Sequence, residues 1–187
     1  MNKLKYFLAF SIAFLIVGCP VRSVFSLFGE KDLVFNPSLL GTWMDTKSED
    51  TYTFQKSGDK GYTVILREHK ETGSKSESVT FKVQLGQLGK FWFLDSSPAG
   101  DSPDYHMMPT HLITKMSLVA DTLRLVSLEA DGLKKMIESG KLKIAHVNHD
   151  GDILLTGTTA ELQEVVLRLA EDETVFPEPA GKLVRVK

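Results

Sequence analysis

The sequence predicts an α+β fold in which a strongly bent antiparallel sheet is closed by two helices in the C-terminal half. Two observations favour the sheet: apolar and polar residues alternate with period two from Leu39 onwards, and turns containing Gly and Asp separate the alternating segments. The helices are predicted by apolar residues spaced three and four apart in two later segments. A chain of 187 residues has the size of one domain, which can bury a full core.

The first segment, residues 1–18, is predicted to be a signal peptide. Two lysines near the N-terminus precede the twelve residues 6–17, of which one is polar. This run is too short to span a bilayer, which takes roughly 20 apolar residues, and it has the length of a signal-peptide core, about 7–15 residues. Gly18 then precedes Cys19, the only cysteine of the chain.

Residues 16–19, Ile-Val-Gly-Cys, resemble the lipobox of bacterial lipoproteins, in which an aliphatic, a small or aliphatic, and a small residue precede the cysteine. The resemblance implies cleavage between Gly18 and Cys19, a diacylglycerol thioether on Cys19, and a periplasm-facing, membrane-anchored position in the cell envelope. Buried acyl chains contribute about 0.8 kcal/mol per methylene, so a lipidated protein needs no membrane span. Pro20, where an inner-membrane protein would carry Asp, favours the outer membrane if the envelope has two. The alternatives are an ordinary signal peptide with a coincidental cysteine and a buried anchor helix.

Residues 19–36 are predicted to be the lipidated N-terminus and a tether, followed by a single β-rich domain over residues 37–187. The tether carries four large apolar residues between positions 24 and 28, which is too many for a freely flexible linker. These residues either pack against the domain or touch the bilayer beside the lipid. Docking on the domain is the favoured alternative.

Alternation and turn residues predict the strands in order. The first group lies at 51–54, 62–66, 79–85 and 91–94, with turns at 58–61, 71–74 and 87–90. A hairpin at 111–119 and 122–128 and three short strands at 143–147, 153–156 and 183–186 follow. Residues 96–109 contain three prolines and a glycine, which predicts a long loop over one end of the sheet.

Two helices are predicted between the later strands. The first covers residues 131–139, with Gly140 as its C-terminal stop. The second has the stronger signal, because Thr158 and Glu161 have the spacing of a capping box. One apolar stripe follows it at helical spacing: Leu162, Val165, Val166 and Leu169.

Gly41-Thr42-Trp43, after residues 37–40, resembles the opening of lipocalin-like barrels, where a helical turn leads into a first strand carrying Gly-x-Trp. The resemblance implies a barrel or half-barrel in which an arginine from a late strand covers the tryptophan face. Arg185 is the arginine implied for Trp43, as a cation–π contact of about 0.5–1 kcal/mol where exposed. The predicted helix at 131–139 is not part of the lipocalin plan.

Residues 30–35, 40–43 and 154–163 resemble a family of bacterial lipoproteins, and this resemblance covers nearly the whole mature chain. It implies an exported lipoprotein. It supplies no catalytic residue.

The charge balance argues against nucleic acid as a partner. Without residues 1–18 the chain has 20 basic and 24 acidic residues, a net charge of −4 at pH 7. It therefore offers neither a basic footprint for nucleic acid nor a basic face for anionic lipid. The sequence contains no P-loop or dinucleotide-binding glycine pattern, and no cofactor is predicted.

We interpret five residues as candidates for the rim of a ligand pocket: Trp43, Trp92, Tyr105, His106 and His111. The alternative for the loop histidines is a loop packed down by its methionines and tyrosine. An aromatic set either lines a cavity or fills the core, and the filled core is favoured. That set comprises Tyr62, Phe81, Phe91, Trp92 and Phe93.

Two patterns of reactive side chains are weaker. His146-x-x-His149 has residue types that bind zinc or copper, but no cysteine lies nearby, and a surface pair is the favoured interpretation. The residues 95–97, Asp-Ser-Ser, together with His106 or His111 offer the groups of nucleophilic catalysis without a Gly-x-Ser-x-Gly elbow. We therefore predict no metal site, no catalytic residue and no enzyme.

The function predicted from these patterns is that of a lipid-anchored, non-enzymatic envelope protein that binds an apolar small molecule or another envelope protein. A structural or assembly role beside another envelope protein is the alternative. A hydrolase centred on the loop between Ser96 and His111 is the third hypothesis.

Overall fold

A computed structural model describes residues 20–70, 77–100, 108–149, 152–178 and 181–187, and in this part of the chain eight strands form a closed antiparallel barrel. The elements are β1 (Arg22–Ser23), β2 (Gly41–Asp45), β3 (Thr51–Ser57), β4 (Gly61–Arg67), β5 (Ser78–Leu88), β6 (Phe91–Pro98), β7 (His111–Val119), β8 (Thr122–Ser127), α1 (Ala130–Glu138), β9 (His146–His149), β10 (Asp152–Leu155), α2 (Thr159–Leu169) and β11 (Leu183–Arg185). Two short 3-10 turns, Glu30–Asp32 and Pro37–Leu39, precede β2.

The barrel is closed by β11, which pairs with β2 on one side and β8 on the other. The strands β2 to β8 each pair with the next along the chain. The predicted bent antiparallel sheet with two C-terminal helices is confirmed. The structure differs from an α+β half-barrel: it is mostly β, and three residues of β11 suffice to join the two edges. It is consistent with a lipocalin-like barrel.

The sheet continues beyond the barrel. β1 pairs antiparallel with the start of β7, β10 lies parallel to β1, and β9 pairs antiparallel with β10. The N-terminal segment is therefore a strand of the sheet, lying between elements that come about 90 and 130 residues later in the chain.

Apolar residues form two cores, one on each side of the barrel wall. The interior core contains Trp43, Tyr62 and Leu85, and the outer core lies between the wall, the helices and the N-terminal segment. In β6, Leu94 points into the barrel and Phe93 points into the outer core, as the period-two alternation of a strand requires. This arrangement explains why the sequence of β6 is apolar on both faces.

The segment 20–35 packs on the domain, as the docking alternative predicted. Leu27 is fully buried, and its carbonyl oxygen accepts a hydrogen bond from Gln163 Nε2 of α2 at 2.9 Å. Thr159 Oγ1, also on α2, donates to the carbonyl oxygen of Ser26 at 2.7 Å. From residue 20 on, the expected tether is therefore part of the folded body, although Phe25 remains 49% exposed.

The capping box of α2 is present as predicted. Thr158 Oγ1 accepts from the backbone N–H of Glu161 at 3.4 Å, and Glu161 Oε2 accepts from that of Thr158 at 2.7 Å. At the other end of the helix, Lys115 Nζ donates to the carbonyl oxygen of Ala170 at 2.8 Å. A cation is favourable at this end of the helix dipole. Burial lowers the pKa of Lys115, against the opposing charges of Glu178, Glu173 and Glu171.

Other elements shift slightly from their predicted bounds. The strand β6 extends to Pro98, so the predicted loop at 96–109 begins later, and β9 begins at His146 rather than at residue 143. The predicted turn at 71–74 lies outside the described residues, as do residues 101–107 of the loop.

Gly86 provides a test of how the N-terminal segment docks. A Cβ added there would overlap the ring of Phe28, which lies on the glycine. We expect Gly86→Ala to lower the free energy of unfolding by about 1–3 kcal/mol, because the ring must shift in a packed core. Urea denaturation of the purified domain measures this loss.

The control for this substitution is Gly29→Ala, where an added Cβ would make only ordinary contact, at 3.6 Å from Asp32. We expect it to change stability by less than about 0.5 kcal/mol. In a Phe28→Ala background, Gly86→Ala should cost much less than in the wild type. Equal costs in both backgrounds would contradict the docking geometry.

Candidate functional site

One end of the barrel, where β2 begins and β11 ends, is plugged by its own side chains; we call it the closed end. Trp43 is fully buried there, and its Nε1 donates to the carbonyl oxygen of Leu39 at 2.9 Å. Leu39 belongs to the 3-10 turn Pro37–Leu39 and is also fully buried. Trp43 thus fills the interior and has its polar atom satisfied, which is the role of a core residue.

Arg185 fastens the closed end. Its guanidinium carbon lies 4.2 Å from the centroid of the Trp43 ring. Two of its nitrogens donate to the carbonyl oxygens of Leu40, at 2.7 Å, and Ser38, at 2.6 Å, and Nε donates to Asp121 at 3.0 Å. The planar guanidinium of Arg185 therefore links the 3-10 turn that precedes β2, β2 itself and the β7–β8 turn.

The interior holds a cavity of about 30 Å³ toward the other end of the barrel. Its walls are apolar, and the lining residues are Tyr52, Phe54, Val64, Phe81, Val83, Leu94, Ser96, Thr114 and Leu125. A space of this size can hold a water molecule, whereas ligand sites take about 300–1,000 Å³. The structure therefore favours the filled core over the ligand cavity.

Two buried tyrosines, Tyr52 and Tyr62, have raised pKa values and therefore carry no charge in the barrel interior. Burial raises the pKa of Tyr52, and the charges of Asp50 and Asp45 raise it further. Burial also raises the pKa of Tyr62, against a hydrogen bond with the backbone of Asn36 that lowers it. Tyr62 Oη accepts from the Asn36 N–H at 2.6 Å and donates to its carbonyl oxygen at 3.1 Å. Tyr62 thereby connects Asn36, just before the 3-10 turn that precedes β2, to the barrel.

A polar cluster lies on the outer face of the wall, around Asp95. This side chain is 1% exposed. Its Oδ2 accepts from the backbone N–H of Leu27 and from Ser26 Oγ, both at 2.6 Å, and its Oδ1 lies 2.7 Å from His111 Nδ1. The carboxylate thus links β6, β7 and the N-terminal segment, and its burial is compensated by three partners.

This cluster does not have the order of a nucleophilic site. In a catalytic triad the histidine lies between the serine and the carboxylate, whereas here Asp95 lies between Ser26 and His111. Ser96, the serine of the hydrolase hypothesis, lines the interior cavity, on the opposite side of the wall from Asp95. Geometry of this kind serves to hold a segment in place.

The predicted pocket-rim residues are not brought to the cavity in the described part of the chain. Trp43 lies at the closed end, Trp92 is half-buried at the edge of the interior core, and His111 lies on the outer face. Tyr105 and His106 lie outside the described residues. Of the predicted aromatic set, Phe81 lines the cavity and Phe93 lies in the outer core.

The histidine pair at 146 and 149 lies on β9. His146 Nδ1 lies 2.9 Å from the carbonyl oxygen of Ile144, and the side chain of His149 is outside the description. Within the described ranges, no three His, Cys, Asp or Glu side chains converge where a metal ion could bind.

No family model, curated protein or solved structure matches the chain. Among the helices that the structure describes, none combines the length and the apolar character needed to cross a membrane.

Asp95 is predicted from the sequence as part of a reactive group, whereas its partner Ser26 is not. The signal available was an acid directly after the four apolar residues Phe91–Leu94 of a strand buried on both faces. A carboxylate at such a position is buried, and a buried carboxylate requires donors. The donors themselves lie 68 and 69 residues away and could not be identified by spacing.

The closed end can be tested with Arg185→Lys. We expect the free energy of unfolding to fall by about 1–3 kcal/mol, since an ammonium group cannot serve both carbonyl oxygens in the same plane while covering Trp43. The control is Arg124→Lys, the same change at an exposed position of β8, with an expected effect below about 0.5 kcal/mol. Equal effects of the two substitutions would show that Arg185 does not fasten this end.

Proposed function

We propose that this chain is a lipid-anchored cell-envelope protein that binds another envelope protein through its surface. The observation that carries the choice of partner is the filled barrel: among the residues that the structure describes, an interior cavity of about 30 Å³ leaves no room for an apolar ligand of ordinary size. The version of the hypothesis in which a small molecule occupies the barrel is therefore the second candidate. A structural role beside the same kind of partner is compatible with this proposal.

The anchoring part of the proposal is supported by residues 16–19, which resemble a lipobox. The first residues after Cys19 belong to the folded body, since Val21 is 2% exposed and Arg22 pairs with Leu112 and Leu154. A lipid on Cys19 would thus be attached directly to a rigid structure. The proposed location is the periplasm-facing side of a membrane, the outer one where the envelope has two.

A non-enzymatic role is supported by the arrangement of the reactive side chains. Asp95 and His111 are in contact, but Asp95 also accepts hydrogen bonds from the N-terminal segment at two points. A proton transfer to this carboxylate during a reaction would weaken the hydrogen bonds that hold the N-terminal segment. Such a cost suits a fixed structural group better than a general acid or base.

Exposed apolar side chains on the outer layer are the candidates for partner contact. Phe25 is 49% exposed beside the N-terminal end of α2, and Leu167, on the same helix, is 42% exposed. Val147 on the strand β9 is 53% exposed. Single exposed apolar residues are ordinary on a protein surface, so these positions define where to place probes and not a patch.

Anchoring is tested with Cys19→Ala and with globomycin, which blocks lipoprotein signal peptidase. We expect the wild-type protein to fractionate with membranes and to carry palmitate label. The Cys19→Ala variant should lose the label and membrane association, and globomycin should cause the lipidated precursor to accumulate. Unchanged label and fractionation in Cys19→Ala would overturn the lipid anchor.

Partner binding is tested by photo-crosslinking in intact cells, with p-benzoylphenylalanine in place of Phe25, Val147 or Leu167. We expect a discrete adduct at one or more of these positions, with Lys60 in the β3–β4 turn as a comparison site on another side of the barrel. No discrete adduct at any position would contradict partner binding. Native mass spectrometry of the soluble domain should give the mass of the bare chain, and a reproducible lipid adduct would favour the small-molecule version.

A further inference from the structure

Pro20, the residue directly after the predicted lipidated cysteine, is part of the folded body. Pro20 forms an antiparallel bridge with Glu129, and the N–H of Val21 donates to the carbonyl oxygen of Leu128 at 2.9 Å. Consecutive Cα atoms are about 3.8 Å apart across a trans peptide. The chain therefore offers almost no slack between a lipid on Cys19 and the sheet.

This attachment point is fixed on both sides. Arg22 pairs with Leu112 of β7 and with Leu154 of β10. Its guanidinium also lies 3.2 Å from the carboxylate of Asp152 at the start of β10. Movement of residue 20 away from the body would break sheet hydrogen bonds and expose Val21, which is 2% exposed.

The surface around the attachment point is formed by the starts of α1 and β10. Glu129, the bridge partner of Pro20, caps α1 by accepting from the N–H of Gly132 at 2.8 Å, and its own N–H donates to the carbonyl oxygen of Val175 at 2.9 Å. The exposed residues beside these contacts are Asp131, Asp152 and Thr174, and we call them the anchor face.

We infer that the anchor face lies against the surface of the bilayer, so that the lipid holds the body flush and in one orientation. This inference rests on the proposed lipid anchor. The wall farthest from the anchor face follows from the strand order. In the ring of eight strands, β3 is four places from β7, the barrel strand that pairs with β1, so β3 lies on the opposite side of the barrel. Lys60, in the turn after β3, then lies far from the membrane.

Charge is not what holds this face to the lipid. The anchor face contains two carboxylates, Asp131 and Asp152, of which Asp152 is paired with Arg22, and without residues 1–18 the chain is acidic overall. Anionic headgroups attract basic segments and repel acidic ones. The position of the face therefore depends on the acyl chains and on the absence of slack, and added salt should not release it from the bilayer.

The test uses the full lipidated protein in vesicles of phosphatidylcholine and phosphatidylglycerol with a nitroxide on part of the headgroups. The thioether blocks Cys19, the only cysteine, so Asp131→Cys and Lys60→Cys each supply one thiol for a fluorophore. We expect the label at 131 to be quenched at least several-fold more than the label at 60. The ratio should not fall between about 0.05 M and about 0.5 M salt, as it would if charge attraction held the face.

A linker variant tests whether the short connection to the lipid, rather than direct binding of the anchor face to lipid, holds position 131 close to the bilayer. Twelve Gly and Ser residues inserted between Cys19 and Pro20 give a chain with a root-mean-square length of about 20 Å. We expect the extra quenching at 131 to fall to the level at 60. If it persists, the face binds lipid by itself and the inference about slack is wrong.

The outcomes distinguish this inference from the proposed function. A mass spectrum of the purified protein without acyl chains overturns both. A lipidated mass with equal quenching at positions 131 and 60 overturns the orientation alone and leaves the lipid anchor in place.

Discussion

The wall formed by β6, the first part of β7 and the last part of β8 is buried on both faces, and this is the constraint on which the rest of the structure depends. Its inner face completes the core of the barrel, and its outer face requires a second apolar layer. The helices α1 and α2 supply that layer together with the N-terminal segment, which Asp95 holds by the N–H of Leu27. Without this layer, side chains such as Phe93 and Ile113 would be exposed to water.

The sequence allowed the interior wall and the helices to be predicted because their signals are local. Period two in β5 placed Phe81, Val83 and Leu85 on one face, and all three lie in the interior core. The capping box at Thr158 set the start of α2 correctly. Trp43 and Arg185 were brought together by resemblance to a known barrel type, and they do lie in contact.

Features made by distant residues could not be predicted in this way. The strand β11 was predicted at residues 183–186, but its three residues are too few to indicate that it closes the barrel. The strand β1, which has two residues, was not predicted, although it carries the N-terminal segment into the sheet. Two of the partners of Asp95, Ser26 and Leu27, lie 69 and 68 residues away and depend on how the N-terminal segment docks on the wall. The side-chain types alone indicated a reactive group around Asp95, whereas the observed hydrogen bonds of Asp95 hold the N-terminal segment in place.

The position of β1 also bears on the order of events during biogenesis. Its neighbours in the sheet, β7 and β10, end at residues 119 and 155, so β1 cannot be enclosed until the chain up to residue 155 takes part in folding. Once β1 is enclosed, residue 20 is part of a bridge with Glu129. A peptidase that cuts before residue 19 would then find no extended substrate on the carboxyl side of the cleavage site. Under the proposed lipid anchor, acylation and cleavage at Cys19 must therefore be completed before residue 20 is enclosed between the later elements.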